Sequence, residues 1–184
     1  AAVATDQQGH RYGVVADGGR ITIGGTVDHA SGAADVDNVF VVVRPGARLD
    51  ASGAAAVLDL DGRPAVTVAS NGGTIALGSA TGLYLDGTFV AAAGGAGAAG
   101  GTLDIALGST AIDGGRGGDP RLARPREFVV SQQATPASAP ADAAGLVYGH
   151  GALSVAQLDA GGFGSLGLAV SGQIAFAGDT ALSL

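Results

Sequence analysis

No cysteine, methionine, tryptophan or lysine occurs in the 184 residues; all nine basic side chains are arginine. Without cysteine there is no disulfide scaffold, zinc finger, iron–sulfur site or thiol nucleophile. Without lysine there is no G-x-x-x-x-G-K-[ST] phosphate loop and no Schiff-base chemistry. Aromatic residues make up only 4%, so few rings can stack on a sugar or a base. Positive charge is equally scarce. The net charge is −7 and the pI is near 4.6, against the basic surface that supplies most nucleic-acid affinity. The uncharged stretch between Asp86 and Asp104 is interrupted by Gly94, Gly95, Gly97, Gly100 and Gly101, so no membrane insertion is expected there. The chain opens Ala1-Ala2-Val3 without the basic region of a signal peptide and ends on the apolar alternation Leu182-Ser183-Leu184. The expectation is a piece of a longer protein.

What is abundant is small. Glycine supplies 34 positions and alanine 38, while hydrophobic residues are still 47%. That is too apolar for a disordered chain, and the glycines lack the three-residue period of collagen. A fold made from these residues must bring backbones close together.

Alternation with period two runs through the chain. Apolar residues recur at Ile21 and Ile23, at Val39, Val41 and Val43, at Leu58 and Leu60, and at Val66 and Val68. They continue at Ile75 and Leu77, Leu83 and Leu85, and Leu103, Ile105 and Leu107. The last set is Leu153 and Val155, Leu166, Leu168 and Val170, Ile174 and Phe176, and Leu182 and Leu184. Each run is short and ends in Gly, Asp, Ser or Asn, as many short half-buried strands would. No capped helical stripe is expected. Strand centres step by about eight residues, so three strands make a rung of roughly 25, within the range of solenoids. Some seven such rungs, each about 4.8 Å above the last, predict a single all-β solenoid rod over 1–184. Gly73-Thr74-Ile75-Ala76-Leu77-Gly78-Ser79 echoes Gly101-Thr102-Leu103-Asp104-Ile105-Ala106-Leu107-Gly108-Ser109 about one rung later, read with a two-residue insertion.

One segment departs from the pattern. Residues 111–150 hold Pro120, Pro125, Pro136 and Pro140, together with Arg116, Arg121, Arg124, Arg126 and the sole glutamate, Glu127. They read as a loop-rich insertion from which the rungs resume near Gly151, with one possible strand over Arg126 to Gln133.

Motifs with chemistry are weak. Gly95-x-Gly97-x-x-Gly100 matches a dinucleotide fingerprint, but strand-like Thr102-Leu103-Asp104-Ile105 follows where a helix is needed. Gly114-Gly115-Arg116-Gly117-Gly118-Asp119 starts a calcium nonapeptide, with Arg121 in its apolar position and no second copy. Asp59 and Asp61, like Asp35 and Asp37, share a strand face and read as solvent-facing rather than as a glycosidase pair. His10, His29 and His150 lack metal-site spacing and read as surface residues. No catalytic, cofactor-binding or metal-binding residue is assigned.

The order of several segments along the chain carries a resemblance. These are Thr81-Gly82-Leu83-Tyr84-Leu85-Asp86-Gly87, the run Ala91 to Leu103, Pro125-Arg126-Glu127, and Ser131-Gln132-Gln133. Leu153-Ser154-Val155-Ala156-Gln157-Leu158, Ala160-Gly161-Gly162-Phe163 and Gly178-Asp179 follow. Together, over roughly residues 65–184, they resemble an internal region of filamentous-haemagglutinin-type exoproteins of Gram-negative bacteria. The resemblance implies a right-handed parallel β-helix and two-partner secretion through an outer-membrane β-barrel transporter. It further implies a cell-surface adhesin, or the stalk of a contact-dependent inhibition effector, meeting a host or neighbouring-cell receptor. The expected role is a monomeric, non-enzymatic rod. The alternatives are a polysaccharide-acting β-helix enzyme, or a receptor- or glycan-binding module using 111–150.

Overall fold

The structure is a computed structural model that describes residues 1–60, 63–108, 125–133 and 139–183. Among the described residues the protein is all-β with one short α-helix, and its core is built from stacked parallel strands. In chain order the strands are β1 (Ala2–Thr5), β2 (Arg11–Val14), β3 (Arg20–Ile23), β4 (Gly25–Asp28), β5 (Ala33–Val36) and β6 (Phe40–Val43). Next come β7 (Arg48–Asp50), β8 (Ala55–Leu60), β9 (Arg63–Ala69), β10 (Thr74–Ser79), β11 (Gly82–Leu85), β12 (Thr88–Val90) and β13 (Thr102–Leu107). Then follow β14 (Glu127–Ser131), β15 (His150–Ser154), helix α1 (Val155–Gly161), β16 (Ser165–Val170) and β17 (Gln173–Ala177).

One parallel sheet has the order β16-β13-β10-β3, a second has the order β17-β14-β15-β11-β6, and β7 pairs with β12. Successive strands enter different sheets. β3, β6 and β7 do so in turn, and β10, β11 and β12 repeat the sequence one layer on. Alternation then places like residues over like. Ile21, Ile75, Leu103 and Leu166 form one inward column; Ile23, Leu77, Ile105 and Leu168 form the next. Val41, Leu83, Gly151 and Phe128 make a third, with Ile174 exposed at its open end. Gly151 is required there, because a Cβ would lie 2.5 Å from the Phe128 ring.

Glycine pairs stack at the corner that feeds the first sheet. Gly73 N–H donates to Ala51 O, Thr74 N–H to Gly19 O, Gly101 N–H to Ala91 O and Thr102 N–H to Gly73 O. A Cβ on Gly73 would meet Gly19 O at 1.9 Å, and one on Gly101 would meet Gly73 O at 2.1 Å. A side-chain ladder accompanies them. Asp17 Oδ1 accepts from Asn71 N–H at 2.8 Å, and Asn71 Oδ1 accepts from Ala99 N–H at 2.9 Å. The corner motif is therefore Asp17-Gly18-Gly19, Asn71-Gly72-Gly73 and Ala99-Gly100-Gly101. It aligns Thr74 with Thr102 and Ser79 with Leu107 without a gap. The two-residue insertion expected in this repeat is absent, because the close-packed glycines set the register.

Four further expectations are corrected. Leu58 and Val66 are not successive rung strands: β8 and β9 form an antiparallel hairpin, as do β1 with β2 and β4 with β5. Residues 111–150 are not wholly an insertion, since β14 lies between β15 and β17 with Phe128 and Val130 fully buried. Val155 does not extend a strand. Ser154 and Gln157 form a reciprocal capping box that starts α1, and Gly162 ends it at φ 64°. Leu182 and Ser183 are outside any strand, and Leu184 lies outside the described residues. The strand expected over Arg126 to Gln133 does form, as β14.

Candidate binding cleft

The second sheet presents the first residues of three adjoining strands side by side. His150 of β15 aligns with Glu127 of β14, which aligns with Gln173 of β17. Their backbones are held by the ladder: Glu127 N–H donates to Gly149 O and Gln173 N–H to Arg126 O, both at 2.8 Å. Gly149, at φ 79°, bends the chain so that its N–H reaches Thr81 O. Tyr148 is braced edge-on against Phe40 with ring centroids 4.9 Å apart, and the Tyr84 ring lies 5.7 Å from His150. Tyr84 Oη accepts from Val147 N–H at 2.8 Å. Together Pro125, Arg126, Glu127, Val147, Tyr148, Gly149, His150 and Gln173 line an open cleft of about 500 Å³.

Arg126 forms the back of the cleft. Only 2% of it is exposed. Its Nε donates to Gly108 O at 2.9 Å and its Nη2 to Ala80 O at 2.6 Å. Burial lowers its pKa from the usual arginine value. The guanidinium thus ties the turns of two adjacent layers to the start of β14. Scarce arginine before a strand was visible in the sequence; the burial was not.

No family model matches the chain, and no curated protein or solved structure matches it. The assignment of chemistry therefore rests on the side chains themselves.

Glu127 is the single carboxylate among the described lining residues, so these do not supply the acid–base pair of a two-carboxylate glycosidase. His10, His29 and His150 are not brought together. His10 Nδ1 meets Asp6 Oδ2 at 3.0 Å, and His29 Nε2 meets Asp104 Oδ2 at 3.0 Å. Among the described residues no group of three or more His, Asp or Glu could hold a metal ion. Among them, too, no helix is long and apolar enough to cross a membrane. The Gly95–Gly100 run is a loop that leads into β13 rather than into a helix. The Gly114–Asp119 motif, with Arg116 and Arg121, lies outside the described residues, as does Asp61.

Asp35 and Asp37 face solvent as expected, but Asp59 does not. Its Oδ2 accepts from Arg11 N–H at 2.7 Å, and its Oδ1 accepts from Arg11 Nη2 at 2.9 Å and from Ala65 N–H at 2.7 Å. These bonds, the Arg11 side chain foremost, hold its pKa well below the usual carboxylate range.

Proposed function

We propose that the chain is a right-handed parallel β-helix and that its role is that of a rod. The observation that carries this reading is the inward column Ile21–Ile75–Leu103–Leu166, repeated beside it by Ile23–Leu77–Ile105–Leu168. A ladder of this kind lengthens by one strand spacing per turn and satisfies its backbone at every step. Length and stiffness then need no active site. The absent cysteine suits a chain that must cross an oxidising periplasm unfolded. With the family resemblance, this supports a segment of a secreted, surface-displayed adhesin, or a contact-dependent inhibition stalk, passed out through an outer-membrane β-barrel.

Two measurements test this reading. Small-angle scattering should give an elongated particle and circular dichroism a strand spectrum with little helix; an isotropic particle or a helical spectrum overturns the rod. Antibody raised against the chain should label intact source cells. Labelling that requires permeabilised cells overturns surface display.

A further inference from the structure

A rod needs no recessed polar surface, yet the cleft at the head of β15, β14 and β17 brings three polar side chains side by side. Among the described residues, Glu127, His150 and Gln173 make no side-chain hydrogen bond within the protein. They stand in register on adjoining strands, so their backbones repeat at about 4.8 Å, comparable to the length of one sugar ring. We propose that this cleft binds a short neutral oligosaccharide.

The chemistry of the lining selects that class. A carboxylate accepts from two neighbouring hydroxyls, an amide both donates and accepts, and an imidazole does one of each. Hydroxyl-rich ligands match this alternation, whereas an apolar ligand would strand three polar heads. The Tyr148 ring, fixed by Phe40, with Val147 and Pro125 offers apolar surface for the C–H face of a pyranose. Anions are disfavoured. Among the described lining residues Arg126 is the single arginine, its Nε and Nη2 already donate to Gly108 O and Ala80 O, and Glu127 repels negative charge. The volume of about 500 Å³ falls within the usual range for small-ligand clefts.

The test is saturation-transfer NMR on the full chain with cellotetraose, maltotetraose and tetra-N-acetylchitotetraose as probes, each up to about 10 mM. At least one should receive saturation. Glu127→Ala and Gln173→Ala, at exposed positions, should each weaken its binding by about tenfold with an unchanged melting temperature. His150→Ala should do the same, and a matching thermal melt separates lost contact from lost fold. No transfer to any of the three sugars overturns the proposal. So does binding that survives both Glu127→Ala and His150→Ala. Binding of a tetra-arginine peptide in place of every sugar overturns it as well, and would identify the cleft as a cationic-peptide site.

Discussion

Asp104 Oδ2 lies 3.0 Å from His29 Nε2, across 75 residues of chain, and Asp104 Oδ1 has no hydrogen-bond partner among the described residues. Asp104 points outward from β13 in a row with Thr22, Ala76 and Gly167, yet only 1% of it is exposed. The cover is the β4–β5 hairpin, whose Val27, Ala34 and Val36 pack on Ala106 and Ala169. Gly167 leaves the room: a Cβ there would stand 2.4 Å from Oδ1. The carboxylate therefore anchors a strap, with the largely exposed His29 as its one side-chain partner among the described residues.

His29→Ala should destabilise the protein by about 1–3 kcal/mol, because it strips a buried carboxylate of its remaining partner. The double variant His29→Ala/Asp104→Ala should recover part of that loss, since the uncompensated acceptor is gone. Urea unfolding of the single and double variants measures this. A double variant no more stable than His29→Ala would show that the cost lies elsewhere.

Acid should destabilise the protein through Asp59 and Asp50. Both pKa values are lowered in the fold. Asp59 is held down first by the Arg11 side chain, and Asp50 is held at about 2 by the Ser52 hydroxyl and N–H and then by Arg48. Their contribution is complete above the unfolded carboxylate pKa of about 4 and is lost as pH falls below it. The melting temperature should thus decline from about pH 4 toward pH 2, less steeply in Asp59→Asn than in the natural chain. Identical profiles for the two proteins would remove Asp59 from the account.

Neighbouring glycines should differ sharply. Gly19→Ala meets open space and should change stability by less than about 0.5 kcal/mol. Gly73→Ala drives a methyl group into Gly19 O and the Gly18 backbone, and should cost about 3 kcal/mol or prevent folding. Thermal melts of the two variants decide the point; equal behaviour would mean that the corner stack does not set the register.

Arg126→Ala should cost about 3 kcal/mol, because Ala80 O and Gly108 O lose buried charge-assisted donors. Arg126→Met keeps the packing and should still lose most of that stability. A Met variant as stable as the parent would show that the stem, rather than the guanidinium, is what the site requires.

Much of the strand content was legible because alternation writes itself directly into residue order. The columns through Ile75, Leu83 and Leu103 follow from it. Helix α1 was not expected: its cap is written in Ser154-x-x-Gln157 followed by Gly162, but Leu153 and Val155 satisfy a strand pattern equally well. The β8–β9 hairpin could not be separated from two rung strands, since Leu58, Leu60, Val66 and Val68 alternate identically in either arrangement. The cleft was not legible at all. Glu127, His150 and Gln173 are far apart in sequence, and no local spacing announces that they share a ladder.

Composition and period settled the class: small residues for close-packed corners, alternation for strands with one face buried, and no chemistry that needs cysteine or lysine. The tertiary structure decided strand order and what that order assembles. β15 enters between β11 and β14, Arg126 is drawn into the interior, and Asp104 is covered by a hairpin. The reason is physical. A period of two says which residues face inward, but pairing partners are chosen by steric fit between distant segments, and here that fit is set by glycine corners and one glycine gap against Phe128.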